Sequence, residues 1–114
     1  MFGVAKLTAE IPHLEARITF LPTSAGGRHG PVYSGYRPQF FYDGRDWDAV
    51  QNYPDVIRVN PGDSVLATIT FLSPESHRGR IRKGMRFDVR EGSRVVAHGC
   101  VTLILDDNLA AKDA

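Results

Sequence analysis

At 114 residues, with 42% hydrophobic and 24% charged side chains, the chain is long enough for one domain with a modest core and not for two. A formal net charge of +1 singles out no partner class, and the lone cysteine, Cys100, excludes an intramolecular disulfide. No apolar run approaches membrane-spanning length.

The opening "MFGVAKLTAEIPH" lacks the basic segment and long apolar run of a signal peptide, so a cytoplasmic location is expected. Residues 1–13 are read as an N-terminal extension, 14–105 as one β domain and 106–114 as a tail. In "LEARITF", Leu14, Ala16, Ile18 and Phe20 alternate with Glu15, Arg17 and Thr19, which is a strand with one buried face. Residues 26–42, "GGRHGPVYSGYRPQFFY", are the least generic stretch. Two glycines precede Arg28 and His29, a backbone shaped to present polar groups, and Pro38 leads into an aromatic strand. Residues 43–60 carry weak patterning and are expected to form a long loop with a short strand near Val56 to Val59. Trp47 in that loop is expected to be a buried lid over a barrel end, since tryptophan is highly buried on average.

"NPGD" at 60–63 has tight-turn chemistry. In "SVLATITF", Val65, Ala67, Ile69 and Phe71 share a face. Met85, Phe87 and Val89 do the same in "MRFDVR", "REGSR" is a hairpin turn, and the odd positions from Val95 to Leu105 are apolar or glycine. A helical stripe is conceivable only after Asp106. Six or seven one-sided strands must bury their apolar faces together, so an antiparallel barrel or sandwich is predicted. Phe20, Phe40, Ile69, Phe71, Phe87 and Val89 are its candidate core.

Charge is uneven. Residues 78–94 hold seven basic side chains, including Arg78, Arg80, Arg82, Lys83 and Arg86, against Asp88 and Glu91, a balance of +5. The remainder balances to −4. A basic segment of this kind is either a solvated face or an anion and nucleic-acid footprint. Catalytic chemistry is sparse. His13, His29, His77 and His98 have no metal-ligand spacing. His98 and Cys100 share a strand face as a conceivable thiol–imidazole pair, with no third orienting residue evident in the sequence. "GGRHG" lacks the lysine and Ser/Thr of a phosphate-binding P-loop. No cofactor, metal, nucleotide or membrane partner is expected, and no enzyme.

Several motifs occur in one order. Gly26, Gly27, Arg28, His29, Pro31, Gly35, Tyr36, Arg37, Pro38, Gln39 and Phe40, then "VNPGDSV", then "KGMRFDVREGSRVVAHG", resemble the C-terminal β-barrel domain of bacterial elongation factor Tu. The spacing holds from about Glu15 to Leu105. The resemblance implies a six-stranded antiparallel closed barrel in a stand-alone, non-catalytic binding module of translation. It also implies roles. Gln39 matches a position contacting the tRNA backbone, and Glu91 and Gly92 match the other retained part of that surface. Arg28, His29 and Arg37 fall on positions serving domain and partner contacts. The basic residues Arg78, Arg80, Arg82 and Lys83 join Gln39, Glu91 and Gly92 as the candidate RNA-binding set. The chain departs from the family at "GRDWDA", where the family has a tRNA-touching loop, at Ser93, and in the longer, more basic "PESHRGRIRKG". It carries no nucleotide-binding motif. The alternative reading is a protein-interaction module that mimics the elongation-factor surface towards its exchange factor or a toxin.

Overall fold

A computed structural model of the chain describes residues 11–112. Most of the N-terminal extension and the end of the tail lie outside them. Among the described residues eight strands form: β1 (Leu14–Phe20), β2 (Val32–Tyr33), β3 (Gln39–Tyr42), β4 (Arg45–Asn52), β5 (Arg58–Val59), β6 (Ser64–Phe71), β7 (Arg86–Glu91) and β8 (Arg94–Ile104). Six of them close an antiparallel barrel in the order β1-β6-β4-β3-β7-β8, and β2 with β5 makes a separate two-stranded sheet. Closure leaves no open barrel edge, which is how a small all-β domain avoids unpaired backbone groups.

The interior follows from the alternation. Leu14, Ala16, Ile18 and Phe20 are buried on β1, and Val65, Ala67, Ile69 and Phe71 on β6. All six candidate core residues are buried. Phe40 stacks on Phe87 at 3.9 Å between centroids and meets Phe71 edge-on at 4.9 Å. Gly99 makes room for this stack, because a Cβ there would lie 2.2 Å from Cζ of Phe87.

Three expectations are corrected. Residues 45–52 are a barrel strand and not a loop. Asp43 (φ 50°) and Gly44 (φ 76°) form a two-residue hairpin turn that pairs Tyr42 with Arg45. The short strand downstream is only Arg58–Val59, since Val56 and Ile57 are exposed. On β8 the odd-position pattern fails. A register shift opposite Val89 and Arg90 puts Val96 and Ala97 both inside, and a second shift, opposite Glu15 and Ala16, lies between buried Val101 and exposed Leu103 and Leu105. After Asp106 the described residues hold one short 3-10 turn, Asp107–Leu109, with Asp106 capping the Asn108 N–H. Leu109 is buried, and Ala111 N–H donates to the Ile81 carbonyl.

Candidate nucleic-acid interface

Strand β7 orders the candidate residues along the barrel. Arg86 starts it at the end that carries the 72–85 loop, and Glu91 finishes it at the hairpin apex with Gly92. Five residue steps separate them, about 17 Å. The candidate RNA-binding set therefore divides. Arg78, Arg80, Arg82 and Lys83 lie at one end of the barrel. Gln39, which pairs with Arg90, lies with Glu91 and Gly92 at the other.

At the hairpin end, the candidate RNA-binding and partner-binding residues form one cluster. Arg28 Nη1 donates to Glu91 Oε2, and Tyr36 OH donates to the same oxygen at 2.5 Å. The Arg28 guanidinium lies 5.3 Å from the Tyr36 ring centroid, and Arg94 approaches the other Glu91 oxygen at 4.0 Å. Burial opposes ionisation of Glu91, but the bonds from Tyr36 and Arg28 and the charges of Arg28 and Arg94 prevail and hold its carboxyl below the usual range. Burial, aided by the Glu91 charge, pushes the Tyr36 phenol up. Glu91 thus stays an ionised carboxylate paired with Arg28 and Arg94, and Gly92 (φ 61°) leaves its backbone exposed beside it. His29 is exposed next to this cluster.

The outer face of β3 and β4 is also internally paired. Gln39 Nε2 donates to Asp48 Oδ1 at 2.8 Å, and Arg37 lies 4.0 Å from Asp48. Arg90 bonds Asp46 at 3.2 Å and covers the Phe41 ring at 4.3 Å. Strand β4 therefore ties up the polar groups beside Gln39.

At the opposite end, Arg80 reaches Asp43 at 3.4 Å and lies 5.1 Å from the Tyr42 centroid. It holds the loop to the β3–β4 turn. Arg82 is also engaged, whereas Arg78 and Lys83 are exposed. Beneath this loop His77 is fully buried, stacked on Phe71 at 3.9 Å, with Nδ1 bonded to Tyr42 OH at 2.6 Å. Burial, with the nearby Arg80 and His13, lowers its pKa to about 4. Trp47 is a half-buried strand residue edge-on to His77 at 4.7 Å, and the Arg45 guanidinium covers it at 4.5 Å. It closes the barrel end from within the sheet, not as a loop lid.

The His98–Cys100 pair acquires a third residue that the sequence did not reveal. Asp88, opposite His98 on β7, bonds His98 Nδ1 at 2.8 Å. The Cys100 thiol instead points to the Gly84 and Val101 carbonyls at 3.6 and 3.9 Å. Among the described residues His98 and Cys100 share no hydrogen bond, and no His, Cys, Asp and Glu cluster could hold a metal.

This barrel, with its motifs in order, matches the family model for the Elongation factor Tu C-terminal domain over residues 8–105. The chain belongs to that family. The elongation factor Tu C-terminal domain is a non-catalytic β-barrel that serves translation. Among the described residues no helix is long and apolar enough to cross a membrane. Gln39, Glu91 and Gly92 lie together on one barrel end, and the side chains of the first two are paired internally.

Proposed function

We propose that the protein is a translation-related binding module that holds RNA, with tRNA as the candidate, through its phosphate backbone. The observation supporting this reading is the exposure of Arg78 and Lys83 in a loop that is longer and more basic than the family pattern. Gly92 N–H supplies a positioning hydrogen bond at the other end, Gln39 and Glu91 join it by exchanging their internal bonds to Asp48, Arg28 and Tyr36, and Arg80 holds the basic loop in shape. Phosphate contacts give affinity that is steep in salt and poor in sequence discrimination. The test is tRNA binding by fluorescence anisotropy at several salt concentrations. Arg78→Ala/Lys83→Ala is expected to lower the magnitude of the log–log salt slope by roughly 1.8 for two lost duplex contacts. Absence of tRNA binding at low salt would remove the reading.

A second reading, a protein-interaction module resembling the elongation-factor surface, is supported by a separate observation. Ile57 is 88% exposed, and Tyr33 and Val56 lie exposed beside the β2–β5 sheet. Capture of a translation-factor protein that survives high salt and fails with Ile57→Asp favours it.

A further inference from the structure

On the outer face of β1, β8 and β7, one cross-strand row reads Arg17, Cys100, Arg86. The row beside it reads Thr19, His98, Asp88. Between these side chains runs a groove of about 600 Å³. Arg17 and Arg86 are both exposed, and neither has a hydrogen-bonded or ionic partner among the described residues. That distinguishes them from Arg28, Arg80 and Arg90, each bonded to a carboxylate. Two strand spacings put the Arg17 and Arg86 backbones about 10 Å apart. Cys100 between them is short and turns its thiol towards Gly84, so both guanidiniums have free space above it. The Asp88 carboxylate, the only acid among the described residues that line the groove, is bonded to His98 Nδ1. Thr19 adds a hydroxyl, shared with Ser64 at 2.8 Å.

We propose that this groove is a phosphate-binding site, and that its occupant is the phosphodiester backbone of RNA. The assignment of RNA rests on the proposed function above; the site itself rests on two uncompensated guanidiniums facing one groove. A guanidinium fork matches the oxygens of a phosphate, and an arginine already bonded to a carboxylate is poorly placed to offer it. Arg86 begins where the basic loop ends at Lys83, so the groove continues that loop's positive surface across the barrel wall. On this view RNA crosses β7, β8 and β1, and the face where Asp46 and Asp48 bind the arginines is not its main path.

The experiment titrates the folded chain with a single-stranded RNA 12-mer, with tRNA and with inorganic phosphate, reading amide shifts and anisotropy. Shifts are expected at Arg17, Thr19, His98 and Cys100. Arg17→Ala/Arg86→Ala should weaken RNA binding on the order of tenfold at low salt and reduce the salt slope by roughly 1.4 to 1.8. Arg17→Lys/Arg86→Lys should retain most of the affinity, and both variants should melt like wild type, since the residues are exposed. If RNA binds but the double alanine variant matches wild type, with shifts confined to Arg78–Lys83 and Gly92, the groove is refuted and the RNA reading stands. If no RNA binds while inorganic phosphate shifts these amides in wild type and not in the alanine variant, the RNA occupant is refuted and the oxyanion site stands. If neither probe shifts them, both fall.

Discussion

His77 and Gly99 show how single residues set the limits of this barrel. His77 is fully enclosed, with its ring on Phe71 and one nitrogen bonded to Tyr42. Its pKa of about 4 in the fold lies below the ~6.5 of an unfolded histidine. The unfolded chain therefore takes up a proton below about pH 6.5 that the native chain refuses until about pH 4, so stability falls as pH drops through that window. Urea unfolding at pH 7 and pH 5 should differ by about 2 kcal/mol from this residue alone. His77→Phe should remove that part of the difference, and an unchanged pH dependence in the variant would refute the assignment. Gly99 is governed by space. Alanine there meets the Phe87 ring, so Gly99→Ala should cost about 1–3 kcal/mol by overpacking. Phe87→Ala alone should cost about 3–5 kcal/mol. In the double variant the glycine substitution should become nearly free, because the clashing ring is gone. Additive losses in thermal unfolding would show that the two sites do not share this space.

The β3–β4 hairpin decides where the chain's polar face lies. Its turn needs left-handed backbone at both Asp43 and Gly44, and a side chain at the second position costs about 1–2 kcal/mol. Gly44→Val should lower the melting temperature accordingly, and Gly44→Asn should do so by much less. Equal losses for the two variants would point to a cause other than backbone conformation. The Asp-Gly pair after an aromatic strand carries hairpin chemistry, yet the expectation for 43–60 is a long loop, and neither the turn nor β4 is recognised in it. The outward residues of β4, Asp46 and Asp48, are charged, and the other face runs Arg45, Trp47, Ala49 and Gln51, with Arg45 exposed at the strand's start. Alternation of apolar with polar residues, which marked β1, β6 and β7, is lost when an inward position is glutamine. Gln51 is tolerated inside because Tyr53 OH donates to its carbonyl at 2.7 Å. The shift on β8 was hidden for a different reason. "VVA" is apolar at three consecutive positions, so period two gives no sign of which neighbour the bulge turns inward. The Arg28–Glu91–Tyr36 cluster was visible only as motif residues, because its partners lie 55 and 63 positions apart. The Arg17–Cys100–Arg86 row was hidden likewise, since strand register, not sequence spacing, makes it.

Across the whole molecule, a net charge of +1 conceals two unlike surfaces. Where β3 and β4 face outward, Asp46 and Asp48 engage Arg90, Gln39 and Arg37. On the far end and the β7–β8–β1 wall, Arg78, Lys83, Arg86 and Arg17 are exposed. Long-range attraction for a polyanion follows this distribution and not the total. The carboxylates of β4 both repel phosphate and occupy the hydrogen-bonding groups beside it. Asp46→Asn/Asp48→Asn should therefore add favourable charge and release Arg37 and Arg90, with a small stability loss of about 0–1 kcal/mol because these are largely surface pairs. On the RNA reading, tRNA affinity should rise several-fold at low salt and the gain should fade at high salt, because the added term is electrostatic. The steepness of the gain also locates the RNA. If the asparagine variant steepens the salt slope by about one unit per released arginine, the β3–β4 face makes direct phosphate contacts once unblocked. If affinity rises with the slope unchanged, the acids act only through their field, and the contacts remain on the β7–β8–β1 wall. Weaker binding by the asparagine variant would contradict both accounts, since it would mean that the Asp46 and Asp48 pairs hold the binding surface in shape.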